Sequence, residues 1–360
     1  MLNYLKSSFF HLIGTLFGIL CLIFFLFYML PGDPAQMILG QRQNTEQVEQ
    51  IHAKYGLDLD IEDQFFYWLN DLSPISVHQH SEKNKIDFWS EDKYSGYYLE
   101  LSSDRGVALK WPYLRESFQK KGKKVSSIII SKFKNTFVLA VASIAFAMVL
   151  GLLLGVYLQY TKSKTLSLII EFLSMAGMAL PSFFSSVLVA WFFGFYLSDY
   201  LPFNMTGSLF AVDDFGEGRY LELKNLVLPA LTLGIRPLAV ISQLTKASLS
   251  QVMKEDYIRT ARSKGLSESK ILFRHALKNA LNPVITATSG WFASLLAGAV
   301  FVEYIFSWDG LGKLLVESLE QLDLPLVMGI VLFIASIFVV INIFVDLIYR
   351  YLDPRIKLES

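Results

Sequence analysis

Six runs in this chain are long enough and apolar enough to cross a lipid bilayer, and nothing else in it restricts the fold so strongly. A hydrocarbon core about 30 Å thick takes roughly 20 mostly apolar residues per helix. Such runs extend approximately over Phe9 to Leu30, Thr136 to Tyr160, Leu166 to Leu197, Leu226 to Leu249, Val284 to Phe306 and Leu326 to Tyr349. The expected class is an all-α polytopic membrane protein with six transmembrane helices. Composition agrees, because 18% of the 360 residues are charged and 53% hydrophobic, against about 25% charged in ordinary soluble domains. The first run follows Lys6 as a signal peptide would, but it is longer than an h-region and Tyr28 to Pro34 offers no small-residue cleavage pattern. A retained anchor is expected.

Lys and Arg in the short connections set the orientation. With the N-terminus inside, the cytoplasmic segments carry fourteen of them and the two short outer loops three, Arg219, Lys224 and Lys313. Both termini are therefore expected in the cytoplasm. Lys120, Lys121, Lys123 and Lys124 fall on the outer side, at the end of a long segment from Pro31 to Asn135, and long segments translocate largely regardless of charge.

The expected division is residues 1–30 as N-terminus and first span, 31–135 as a mixed extracytoplasmic domain, 136–350 as the remaining five spans, and 351–360 as a cytoplasmic tail. In the outer domain Asn44 is placed to cap a helix carrying Val48, Ile51 and Tyr55, and a second helix is expected from Ile61 to Leu72 with Phe65, Phe66, Trp68 and Leu69 on its apolar side. From Ser73 to Pro112 the pattern is mixed and aromatic, with a strand-like run at Tyr97 to Leu101. His78-Gln79-His80 lacks a nearby carboxylate or thiolate and reads as surface residues, so no metal site is expected.

The spans hold little chemistry. No G-x-S-x-G elbow and no G-x-x-x-x-G-K-[ST] loop occurs, and balanced totals of 32 basic and 32 acidic residues give no sign of nucleic acid. The single cysteine, Cys21, lies in an apolar run and can form no intrachain disulfide. Arg236, beside Pro237 in the fourth run, is the exception, since a mid-span arginine costs about 2.5 to 3.5 kcal/mol on insertion scales. It is either a pathway or gate residue, or half of a structural pair with Glu171, Asp346 or carbonyls freed at Pro237. Pro181, expected to kink the third run, and Ser185 one turn on are further pathway or gate candidates.

Between the fourth and fifth runs lies a segment too charged for a membrane interior. Glu255 and Asp256 suit a helix N-terminus, Arg259 and Arg262 are one turn apart, and Gly265 sits where a left-handed cap belongs. Ser267 and Glu268 then start a second helix in which Lys270, Arg274 and Lys278 form a basic stripe, ended by Asn282-Pro283. The stripe suits either anionic lipid heads or a soluble partner.

Asp256-Tyr257-Ile258-Arg259-Thr260-Ala261-Arg262-Ser263-Lys264-Gly265-Leu266-Ser267, followed by Arg274-His275-Ala276-Leu277-Lys278-Asn279-Ala280-Leu281-Asn282-Pro283, resembles the cytoplasmic "EAA" loop of ABC importer permeases. The form is that of the dipeptide/oligopeptide/nickel branch, with Arg259 and Thr260 where sugar-type permeases carry glutamate and alanine. Leu30-Pro31-Gly32-Asp33-Pro34, Phe301 to Gly312 and Asp353-Pro354-Arg355-Ile356 are similar to the same branch, and residues 73–112 look like an insertion. The resemblance implies an ABC importer permease fold in a bacterial inner membrane, carrying small peptides, nickel chelates or another small solute. Its partners would be a second homologous permease, two cytoplasmic ATPase subunits that hold ATP and Mg, and an extracytoplasmic solute-binding protein, with no cofactor in this chain. Residues 250–283 would be the ATPase-coupling loop, with Asp256, Tyr257, Arg259, Thr260, Ala261, Arg262, Lys264, Gly265, Leu266, Ser267, Arg274 and Asn279 as its working residues. A membrane-anchored structural or assembly subunit is the competing reading.

Overall fold

The computed structural model describes residues 2–29, 33–39, 44–80, 86–102, 104–212 and 218–352. Leu30-Pro31-Gly32, the loop acids Asp213, Asp214 and Glu217, and Asp353-Pro354-Arg355-Ile356 lie outside the described residues. The chain forms two compact units, one of residues 13–131 with 315–333, the other of residues 132–314 with the remainder of the two ends.

The first unit contains most of α1 (Leu2–Tyr28), then α2 (Pro34–Leu39), α3 (Thr45–Tyr55) and α4 (Ile61–Leu72). α3 begins after Asn44, although the Asn44 side chain makes no capping bond, and ends at Gly56 with φ +69°. α4 has the expected limits, but its apolar residues divide: Trp68 is buried against Ile23, Met328 and Leu332, whereas Phe66 is 68% exposed. Three antiparallel strands follow, β1 (Ile75–Gln79), β2 (Gly96–Glu100) and β3 (Arg105–Lys110), in the order β1-β3-β2. The strand-like run near Tyr97 is thus one of the two edge strands of a sheet whose other two members the sequence pattern did not announce.

One face of the sheet is held by a charged cluster. Asp71 of α4, 3% exposed, accepts from Tyr94 Oη at 2.7 Å and Arg115 Nε at 2.8 Å, and its carbonyl accepts from Lys110 Nζ. A buried carboxylate needs this many partners to offset its desolvation. Burial pushes the Lys110 amine down to about 8. Beside the cluster, His78 corrects the expectation of a surface pair. Its side chain is buried, Nε2 lies 2.8 Å from Ser76 Oγ, and its ring packs on Trp89 and Tyr94, while His80 is exposed. Period-two alternation explains the difference, because β1 turns residues 76 and 78 inward and 75 and 77 outward.

Desolvation lowers the His78 pKa from 6.5 to about 4. The folded state resists protonation of His78, so the stability that its neutral form contributes is fully present above pH 6.5 and is lost as pH falls toward 4. Proteolytic cutting within residues 75–110 should increase between pH 7 and 5, and His78→Gln should flatten that dependence.

In the second unit α5 (Val125–Tyr160, whose first turns belong to the first unit) leads to α6 (Lys164–Ala179), then α7 (Ser182–Val189) running on as a π-helix over Ala190–Tyr196. A short hairpin, β4 (Phe210–Val212) and β5 (Arg219–Leu221), precedes α8 (Lys224–Val252). α9 (Asp256–Ser263) and α10 (Glu268–Ile271) come next, then a π turn over Leu272–Ala276, α11 (Leu277–Gly298), α12 (Val300–Ile305), α13 (Leu311–Glu320) and α14 (Leu324–Leu352).

Among the described residues, α5, α8 and α14 over Leu324–Val345 are each long and apolar enough to cross a membrane, and α1 has a shorter apolar stretch at Ile13–Leu26. The third expected run is not one straight helix, since α6 and the α7 helix meet at Pro181 with a bend of 112°. Proline offers no donor and disfavours helical backbone at the residue before it, here Leu180, which is extended. The fifth run is also interrupted, between Gly298 and Val300, whereas Pro283 lies inside α11 instead of ending a helix. Ala280 and Val284 are 1% exposed on either side of Pro283, so packing holds the helix through the missing hydrogen bond.

Glycine brings α5 and α8 together. A Cβ on Gly155 would lie 2.4 Å from Thr245 Cβ and 2.7 Å from the Ser242 carbonyl oxygen, a separation only glycine allows.

Candidate functional site

The charged segment folds as two short helices around Gly265, with its apolar residues turned inward. Ile258 and Ala261 of α9 are buried with Leu249 of α8 and with Ile271, Leu272, Ala276 and Ala280. At the α9 C-terminus the Gly265 amide donates to Arg262 O at 2.9 Å and the Leu266 amide to Ala261 O at 3.3 Å. These are the two bonds of a Schellman motif, and Gly265 has the left-handed φ of +76° that the motif needs. Leu266 packs in the same cluster as Ala261, which supplies the motif's usual hydrophobic contact.

Two polar clamps fix the angle between the helices. Arg262 donates to Glu268 through Nε at 2.7 Å and Nη2 at 3.1 Å, and this pairing holds the Glu268 carboxyl below the usual range. Asn279 Nδ2 donates to Tyr257 Oη at 2.7 Å, tying α9 to α11. The rest of the segment faces outward: Asp256, Arg259, Thr260, Lys264, Ser267, Lys270, Arg274 and Lys278 are exposed, and the 3.5 Å contact of Arg259 with Asp256 is solvated and weak. Phe273, 66% exposed beside Arg274, belongs to this outer face and was not anticipated. Its signal is a large aromatic between basic residues, out of step with the buried positions 272, 276 and 280.

The second short helix is not separate. From Glu268 the chain stays helical through the π turn to Gly298, a rod of about 45 Å. Apolar residues recur at 272, 276, 280 and 284, every four residues instead of 3.6, and the wider i→i+5 turn takes up part of that difference.

Inside the membrane helices the ionisable residues divide differently from expectation. Glu171 of α6 pairs with Lys246 of α8 and accepts from Ser167 at 3.1 Å, so it is not the partner of Arg236. The Asp346 side chain lies outside the described residues. Arg236 is half-buried and, among the described residues, hydrogen-bonds only the Met178 carbonyl, at 3.4 Å, three residues before Pro181. Ser185 donates to Pro181 O at 3.3 Å and is engaged in the start of α7.

Glu303 is a residue that sequence reasoning passed over, although a carboxylate in an apolar run is itself a signal. It is fully buried, accepts from the Gly312 amide at 2.6 Å through Oε2, and its carbonyl accepts from the Trp308 amide at 2.8 Å. Trp308 Nε1 donates to Asn135 O at 3.0 Å and the Leu311 amide to Thr136 Oγ1 at 2.8 Å. These bonds set the corner from α12 to α13 on α5. No group of three or more His, Cys, Asp or Glu is placed to hold a metal among the described residues.

Apolar helices of membrane-spanning length, one of them followed by an exposed, charged helix pair packed against α8 and α11, define a multi-pass membrane protein. The chain belongs to the family of binding-protein-dependent transport system inner membrane components, whose model matches residues 147–358, with the N-terminal model of the same systems matching residues 1–88. It is 29% identical to the dipeptide transport system permease protein DppB of Alkalihalophilus pseudofirmus over 370 residues, which is 99% of this chain and 100% of that one. It is 31% identical to the glutathione transport system permease protein GsiC of Pectobacterium atrosepticum, over 99% of each chain. Among solved structures, an inward-facing MetNI methionine ABC transporter matches at TM-score 0.51 and 14% identity, covering 63% of this chain and 97% of that one, a likeness of fold. The chain is a membrane permease component of such a transport system.

Proposed function

We propose that this permease forms, with a second homologous permease, a path for small peptides, and that the α9–Gly265–α10 pair couples the path to two cytoplasmic ATPase subunits. The observation that carries the reading is the division of that pair: apolar residues seat it on α8 and α11, and its charged face is left to solvent. Such a surface suits the groove of a soluble partner. ATP and Mg belong to the ATPases, and a solute-binding protein delivers the cargo on the other side. The relatives' names, a dipeptide and a glutathione system, support a peptide as the solute. Arg236 lines the path, where its guanidinium meets the negative end of the solute near the break at Pro181. In this reading residues 31–135 are extracytoplasmic and both termini cytoplasmic, which the Lys/Arg asymmetry of the short loops supports.

Orientation and coupling are tested together. In a Cys21→Ser background, Ser267→Cys should resist an impermeant thiol reagent in intact cells, label after permeabilisation, and crosslink to the ATPase subunit in the complex. Labelling without permeabilisation would reverse the orientation, and absence of any ATPase crosslink would remove the coupling role.

A further inference from the structure

The register of the three-stranded sheet puts Ile75, Leu109 and Tyr97 in one row across it, and Val77, Val107 and Leu99 in the next. Leu101 and Trp111 extend the same side. This face is bare among the described residues: Tyr97 is 84% exposed, Trp111 79%, Ile75 67% and Leu99 67%. Arg105 is the sole charge that the strands contribute to it. The opposite face carries the buried His78, Ala108 and Lys110, so the exposed side is a second, uncovered apolar layer.

A patch of this kind in water is a standing aggregation hazard and needs permanent cover. A solute-binding protein that docks and leaves would expose it in every cycle; a lipid surface would not. The surroundings within the same unit point to lipid. Asn70 of α4 brackets Val77, donating from Nδ2 to its carbonyl at 2.8 Å and accepting its amide at 3.0 Å through Oδ1. On another side α4 packs Phe65 and Trp68 onto Ile23 and Phe24 of α1. The sheet edge therefore lies one helix, about 10 Å, from the apolar helix α1. α4 itself exposes Phe66, one turn before Asn70, and α1 exposes Leu22, Leu26 and Tyr28. Tyr97 and Trp111, with apolar bodies and polar tips, stand at one end of the face, as suits a membrane–water boundary.

We propose that the β1–β3 face rests in the interfacial layer of the bilayer, making the sheet an in-plane membrane foot beside α1. β2 and β3 fall between the two stretches matched by the family models. The proposal rests on the membrane reading of the chain and not on its direction of transport or its solute.

The test uses the full chain, Cys21→Ser, in vesicles of phosphatidylethanolamine and phosphatidylglycerol. A spin label on Leu99→Cys or Leu109→Cys should collide several times more readily with molecular oxygen than with a water-soluble nickel chelate, relative to a label on Glu100→Cys of the opposite face. Equal nickel access at all three sites would overturn the proposal, and so would shielding of Leu99→Cys and Leu109→Cys from both reagents, which marks a protein cover. If a labelled variant fails to fold, brominated lipid supplies the second measurement. Quenching of tryptophan emission should drop in Trp111→Phe, and unchanged quenching would likewise overturn the foot. Neither readout depends on transport.

Discussion

Gly265→Val is expected to abolish substrate-stimulated ATP hydrolysis and uptake while the membrane helices still insert. At φ +76° any residue with a Cβ meets a backbone penalty of about 1–2 kcal/mol, and β-branching adds to it. Among the described residues an added Cβ would touch nothing within 4 Å, so the effect expected is strain in the Schellman turn together with crowding against the proposed ATPase groove. Asparagine tolerates left-handed backbone, and Gly265→Asn should retain much of the activity. Uptake and ATPase assays on the purified complex, with the ATPases quantified by co-purification, check both variants. Wild-type coupled transport by Gly265→Val would show that this turn does not transmit the signal.

Arg236→Ala is expected to accumulate normally and to lower uptake by about 10- to 100-fold, the loss of one charge-assisted hydrogen bond of about 1.5–3 kcal/mol to the solute. Normal abundance follows from the geometry, because among the described residues the guanidinium hydrogen-bonds only Met178 O, at 3.4 Å, and removing a costly mid-span charge need not weaken the fold. A structural arginine would behave differently: its loss would strand a partner and reduce the amount of protein. Immunoblots and transport rates on the same membranes separate the outcomes, and unchanged abundance with unchanged uptake would remove Arg236 from the path.

The parts legible in the sequence were those governed by local rules. The limits of α4, the start of α3 after Asn44 and the positive φ of Gly265 follow from periodicity and from what glycine alone adopts. Less legible was whatever depended on a distant partner. Nothing near Glu171 in the chain says that Lys246 will neutralise it and leave Arg236 to a carbonyl. His78 looked like half of an exposed pair because its Trp89 and Tyr94 neighbours arrive from a later loop. Hydropathy also reads through breaks: Pro181 announced a kink but not a bend of 112°, and the Gly298–Val300 junction vanished into a continuous apolar run.

The π turn at Leu272–Ala276 sets the azimuth of the charged helix pair. Each residue of an α-helix rotates the chain by about 100°, so removing one residue from that turn would swing α9 around the axis of α11 by roughly a quarter of a circle. Ile258 and Ala261 would leave their apolar seat, and the face that carries Asp256, Arg259 and Lys264 would turn through the same angle. The direction in which the exposed charged face of the helix pair points is therefore indexed by a single residue's worth of helix, about 30 Å from the far end of the rod that it turns.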